Sequence, residues 1–432
     1  MSTRIPFVPN AETREIVRSA ADETRRVSGA RIGDLVEAAL LRTLTDTVGF
    51  DESGRVFIIT GDIPAMWLRD STTQLTPYLR YLDRSAQLAD LVEAVVRRQF
   101  GFIAHDSYAN AFNDGPTGAH YDPGDVCDDP NVWEQKYEID SLCYPATLAH
   151  TLWQRTGRTA FIDDDLHQVL RTIVAQLRLE QDHDRSPYRF ERSTTIPTET
   201  LIREGRGSEV ARTGMTWGGF RPSDDACTYG YNIPANLFAA QALRAISEIA
   251  RDVLDDARLA EAAEALSAEI RDGVRVHGIV EGPEGAPIYA YEVDGRGGVL
   301  IMDDANTPSL LSLPLIAPDL IDREVWEATR AVILSPANPY WYSGSMLRGI
   351  GSPHSLPGRV WPIALAVQGL VGTADERVRM LDLIAASDGG TGHIHESVDV
   401  DDPSQFSRPW FSWADSMFCE LALQVAEDAR TS

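Results

Sequence analysis

Apolar residues recur at spacings of three and four along most of this chain, and long polar loops interrupt them. That alternation predicts a helical protein. Ile16, Ala20 and Val27 share one face of a predicted helix over residues 10–28, which Gly29 stops. Leu35, Val36, Ala39, Leu40 and Leu44 make the apolar face of a second, over 33–48. Helices follow over about 71–82 and 84–103, and the stretch 132–145 starts another that runs to about 156. Asp163 is placed to cap the next, in which Leu166, Val169, Leu170, Ile173, Val174 and Leu177 fall on one side. Pro234 sits in the first turn of a helix to about 250, and further helices are predicted over 256–271, 322–334, 358–369, 374–386 and 410–428. Strand signal is confined to 56–59 and to the alternating run 288–293, read as a small hairpin.

The count comes to about a dozen helices with little strand, and a long loop precedes every second one. Helical hairpins arranged in a ring, an (α/α)6 barrel, account for this. A helical solenoid would show a fixed repeat, and the chain has none. No linker or shift in composition divides it, so residues 1–432 are expected to form a single barrel domain with a small β-hairpin.

Composition narrows the function. With 65 acidic against 39 basic residues the formal net charge is −26, which argues against nucleic acid and anionic membrane surfaces as partners. No apolar run reaches the length of a membrane span, and the first residues lack the apolar stretch of a signal peptide. Cys127, Cys143, Cys227 and Cys419 are scattered without a paired motif. Reduced thiols and a cytoplasmic location are therefore expected. Oligomeric state is not written in any of these patterns.

The loops repeatedly set acids beside aromatics: Trp67 with Arg69 and Asp70, Trp133 with Glu134 and Glu138, and Trp217 with Arg221, Asp224 and Asp225. Further on come Asp303, Asp304 and Asn306, then Trp341 with His354, then His395 and Glu396 with Trp410 and Trp413. Any one cluster can be a helix cap or a solvated charge: Arg69–Asp70 can be a buried ion pair capping a helix from Ser71, and Asp224–Asp225 an N-cap. Six clusters at one kind of loop are expected to converge on a single pocket. An indole face stacks on a sugar ring and ion pairs grip its hydroxyls, and an acidic, aromatic-lined pocket suits glycosidic bond cleavage. That reaction takes two carboxyl groups, one protonated to donate to the leaving oxygen and one acting from the opposite face. Asp224 or Asp225 is the natural donor and Glu396 the natural partner. Trp67 is expected to be exposed, and His395 to orient a water or a hydroxyl. His393 and His395 alternate, but no third ligand has suitable spacing, and the acid pairs lack a calcium loop, so neither metal nor cofactor is expected.

Five stretches resemble glycoside hydrolase family 125, the exo-acting α-1,6-mannosidases. They are Thr-Gly-Asp-Ile-Pro-Ala-Met-Trp-Leu-Arg-Asp-Ser from Thr60, Trp-Glu-Gln-Lys-Tyr-Glu-Ile-Asp-Ser-Leu from Trp133, Gly-Phe-Arg-Pro-Ser-Asp-Asp-Ala-Cys from Gly219, Gly-Ile-Gly-Ser-Pro-His ending at His354, and His-Glu-Ser at His395 followed by Trp-Phe-Ser-Trp-Ala from Trp410. The resemblance implies an (α/α)6 barrel and metal-independent, inverting release of terminal α-1,6-linked mannose from mannosides or N-glycan fragments. It puts the general acid at Asp224 or Asp225 and the general base at Glu396. Arg69, Asp70 and His354 match positions that line the sugar pocket. Trp67, Glu138, Arg221, Asp304, Asn306, His395 and Trp413 complete the expected substrate contacts. Inversion predicts a separation of about 6.5–9.5 Å between the two carboxyl groups. The competing readings are another glycosidase on the same barrel, α-glucosidase-like or calcium-dependent, and a non-catalytic sugar-binding protein.

Overall fold

A computed structural model of the chain describes residues 4–431. These divide into two compact units, one built from 4–98, 151–157 and 341–431, the other from 99–150 and 158–340. The helices Ala86–His105 and Asp140–Thr156 each contribute residues to both.

In the first unit the helix Ala11–Ser28 opens as the sequence dictates. The Asn10 side chain accepts the Thr13 N–H at 2.8 Å, and Gly29, at φ 94°, ends the helix. The helix Ala30–Arg42 packs on it but stops short of the predicted end at Val48, because a single π turn, Thr43–Thr47, swings the chain into the strand Val48–Phe50. That strand is central in an antiparallel sheet with Ile5–Pro6 and Val56–Ile58. The closing helix Ser412–Thr431 packs against both first helices and against Pro362–Leu370 and Ala374–Ala386. Its inward positions, among them Phe418, Leu421 and Ala422, are buried, and each large apolar side chain removed from water contributes about 1.5–3 kcal/mol.

In the second unit Ile233–Asp252 and Ala257–Gly273 form a helical hairpin, and Asp164–Leu179 lies against both. Asp163, Asp256 and Asp322 cap their helices through side-chain oxygens, as their positions imply. The predicted 288–293 hairpin is divided differently. Pro287–Tyr289 pairs with Ile279–Glu281, whereas Glu292–Val293 pairs with both Val299–Leu300 and Tyr231–Asn232. The alternating run belongs to two sheets, broken at the buried Ala290 and Tyr291. Among the described residues no helix is long and apolar enough to cross a membrane, and the four cysteines are free thiols.

Candidate active site

In the first unit the Thr60 motif is held against the segment that enters the closing helix. Ser412 donates its N–H to the Thr60 carbonyl at 3.0 Å, and the Asp62 N–H reaches the Trp410 carbonyl at 3.3 Å. Gly61, at φ 117°, is required here, since a Cβ would meet the Trp410 carbonyl at 2.6 Å. The helix that follows is Leu68–Thr73, so Arg69 and Asp70 lie within its first turn and neither caps it. Arg69 Nε is 3.5 Å from Asp70 Oδ1, and both side chains are buried. The Arg69 guanidinium sits 5.6 Å from the Trp413 ring. Trp67 is buried, against expectation: it immediately precedes the helix, at the end of the apolar Met66–Trp67 strand. Trp413 is buried too, in the first turn of the closing helix. From it an edge-to-face series runs through Phe411 and Trp361 to the half-buried His354 ring, with centroids 5.9, 6.4 and 6.4 Å apart in turn.

Glu396 is half-buried in the same unit. Its Oε2 accepts the Ser407 hydroxyl at 2.8 Å, and Oε1 lies 3.8 Å from the Arg408 guanidinium. His395 is buried completely and stacked on Phe406 at 3.6 Å. Its Nδ1 faces the Arg408 carbonyl at 2.9 Å, and its Nε2 the Thr391 hydroxyl at 3.0 Å. Both ring nitrogens are therefore committed to the loop that carries Glu396. Burial pushes His395 below its ordinary value of 6.5, with the Arg408 and Asp388 carbonyls pulling the other way. A depressed folded pKa means that the neutral ring contributes stability above pH 6.5, and that this is lost as pH falls. Thermal melts from pH 8 to 5 should show a shallower acid-side decline for His395→Asn than for the parent; equal slopes would remove the ring from that account.

The second unit carries the Arg221–Asp225 turn. Phe220 bridges to Ala226, Arg221 donates its N–H to the Asp225 carbonyl at 2.8 Å, and Asp224 donates back to the Arg221 carbonyl at 2.9 Å. Asp224 occupies the left-handed region at φ 68°, a conformation that aspartate tolerates better than most residues. Three expected contacts clamp this turn. Arg221 Nε donates to Glu292 Oε1 at 2.5 Å, while Glu292 Oε2 accepts the Thr228 and Tyr229 N–H groups at 2.8 and 2.9 Å. Asp304 Oδ2 accepts the Ser223 hydroxyl at 2.7 Å, and its Oδ1 the Asn306 amide at 3.3 Å. Glu138 is buried, with its backbone bridged to Phe220 and the Ser141 hydroxyl 3.1 Å from Oε2. Beside Asp304, burial pushes the Asp303 carboxyl up to about 8, against the pull of the N–H groups of Leu311 and Leu310.

Sequence reasoning missed a buried charge network in this unit. Lys136 Nζ lies 2.9 Å from Glu199 and 3.5 Å from Glu134, and Arg192 pairs with Asp125, Glu134 and Glu199. Burial alone would push Lys136 down, but Glu134, Asp224 and Glu199 outweigh it and hold the ammonium charged. Carboxylate oxygens of Glu199 and Asp225 lie within 4.8 Å of each other. The one available signal was a lysine inside an otherwise apolar and acidic motif. Trp217, expected beside the acids, is core: it stacks on His183 at 3.5 Å, and a Cβ at Gly230 would meet it at 2.1 Å.

Known proteins resemble this chain over nearly its whole length. The Meiotically up-regulated gene 157 protein of Schizosaccharomyces pombe is 36% identical over 456 residues, covering 98% of this chain and 89% of that protein. A Streptococcus pneumoniae protein described among metal-independent alpha mannosidases, in a non-productive complex with α-1,6-mannobiose, is 44% identical. It superposes with a TM-score of 0.92 over 96% of this chain and 98% of its own. The glucoamylase of Saccharomycopsis fibuligera, only 12% identical, shares the fold with a TM-score of 0.54 over 99% of this chain and 98% of its own. The fold class is the (α/α)6 barrel that the helix pattern predicted. A family model described as metal-independent alpha-mannosidase (GH125) matches residues 30–423, and the chain belongs to that family of glycoside hydrolases.

Proposed function

We propose that this protein is an exo-acting α-1,6-mannosidase that releases the non-reducing terminal mannose with inversion and without a metal. The observation that carries the reading is the α-1,6-mannobiose bound by the Streptococcus pneumoniae relative, at 44% identity across 96% of this chain. In the reaction, one carboxyl of the Asp224–Asp225 pair protonates the glycosidic oxygen as the bond to C1 breaks. Glu396 takes a proton from the water that attacks C1 from the opposite face, and the product is β-mannose. Arg69, Asp70, His354 and Trp413 hold the mannose ring, with Trp67 behind them. Arg221, Glu138, Asp304 and Asn306 keep the Asp224–Asp225 turn in place, and His395 braces the loop of Glu396. The chain is read as one catalytic domain, and the free cysteines suit a cytoplasmic setting.

The test is a panel of mannobioses of each linkage, followed by proton NMR in the presence of EDTA. The α-1,6 isomer should be cleaved fastest, and β-mannose should appear before mutarotation. α-Mannose as first product, a preference for another linkage, or loss of activity restored by calcium would overturn the reading. Binding without cleavage of any isomer would favour a sugar-binding protein instead.

A further inference from the structure

We propose that Arg408 is a positioning residue for hydrolysis, fixing Glu396 and tying it to the turn that leads to Arg69 and Asp70. The inference rests on the reading of Glu396 as general base. Arg408 has a left-handed backbone, φ 51°, between Ser407 and Pro409. For a long side chain that conformation is costly and persists only where the surroundings impose it. What it achieves is visible in the contacts. The Arg408 carbonyl turns to accept the His395 Nδ1–H at 2.9 Å, one residue before Glu396. The guanidinium extends the other way, donating from Nε to Asp62 Oδ1 at 2.8 Å and from Nη2 to Thr60 Oγ1 at 2.8 Å. Its plane covers Phe411 at 4.4 Å from the ring centroid.

The remaining nitrogen, Nη1, stands 3.8 Å from Glu396 Oε1. That is within ion-pair range but too long for a hydrogen bond. The cation attracts this oxygen without occupying its lone pairs, which stay open to a water proton. Ser407, next in the chain, fixes the other oxygen at 2.8 Å. One dipeptide therefore holds both oxygens of Glu396, each in a different way. Lysine cannot reproduce this, because a single ammonium cannot face Thr60, Asp62 and Glu396 together.

Arg408→Ala should lower kcat on α-1,6-mannobiose between about tenfold and a hundredfold, the scale of a misplaced catalytic group, with KM changed less than about threefold. Millimolar free guanidinium should restore part of the lost rate, and Arg408→Lys should fall between Ala and the parent. Residual rates on an activated aryl mannoside should show Arg408→Ala costing little once Glu396→Gln is present, since the two act through one group. An unchanged kcat, a loss confined to KM, or fully multiplicative losses in the double variant would overturn the inference. Should Arg408→Ala not fold, the Lys variant decides: parental kcat overturns the proposal, and a reduced kcat with parental KM supports it. An active Glu396→Gln enzyme would instead bring down the assignment of the base, a separate failure.

Discussion

Glu396→Gln should lower kcat on α-1,6-mannobiose by about 10³-fold or more while leaving mannose affinity nearly unchanged; general-base catalysis typically supplies 10²–10⁴. The amide matches the carboxylate in size, and its carbonyl oxygen still accepts the Ser407 hydroxyl that now lies 2.8 Å from Oε2. The fold and the sugar contacts should therefore survive, and the loss should fall on kcat. The deficit should also be the same for good and poor leaving groups, because a water is left unactivated whichever group departs. Steady-state rates on mannobiose and on aryl mannosides, with calorimetric titration of mannose, separate these outcomes. Undiminished turnover would remove Glu396 from the mechanism, and a loss confined to KM would recast it as a sugar ligand.

Much of this framework was legible in the chain. Asp163 stands ahead of an apolar period as an expected cap and proves to be one, and Asn10, Asp256, Asp322 and Thr373, at or beside the starts of other predicted helices, cap theirs in the same way. Local chemistry alone decides such positions. The motif that resembles family 125 around Glu396 was equally plain, because it is contiguous. What could not be read was which polar groups are spent on one another. Arg221 is among the expected sugar contacts, and nothing in the sequence signals that Glu292, 71 residues further on, holds its Nε. Asp304 reaches Ser223 across 81 residues, and Arg408 reaches Asp62 across 346. Residue type announces that a loop carries charge, but the partner comes from the fold. Trp67 and Trp217 fail for a related reason, since an indole beside an acid reads the same whether it faces a ligand or the core. The two-residue strands and the π turn at Thr43–Thr47 are too short to leave any periodicity.

Replacing the proton donor should give a different signature, and it identifies which of the two adjacent aspartates acts. Asn at the donor cannot protonate the leaving oxygen, so cleavage of mannobiose, whose alkoxide leaves poorly, should fall by about 10³-fold or more. A dinitrophenyl mannoside needs no protonation, and its rate should stay within about tenfold of the parent. The neighbouring residue, replaced in the same way, should show a smaller loss spread evenly over both substrates, because it only shapes the turn. Two of the turn's bonds persist in both variants. Asn tolerates the left-handed backbone at 224, and the Ser223–Asp304 and Arg221–Glu292 bonds involve neither aspartate. Rates for Asp224→Asn and Asp225→Asn on both substrates therefore form a two-by-two comparison in which only the donor shows strong dependence on the leaving group. If both variants lose activity without regard to the leaving group, the donor lies elsewhere, and the buried Glu138 becomes the next carboxyl to replace.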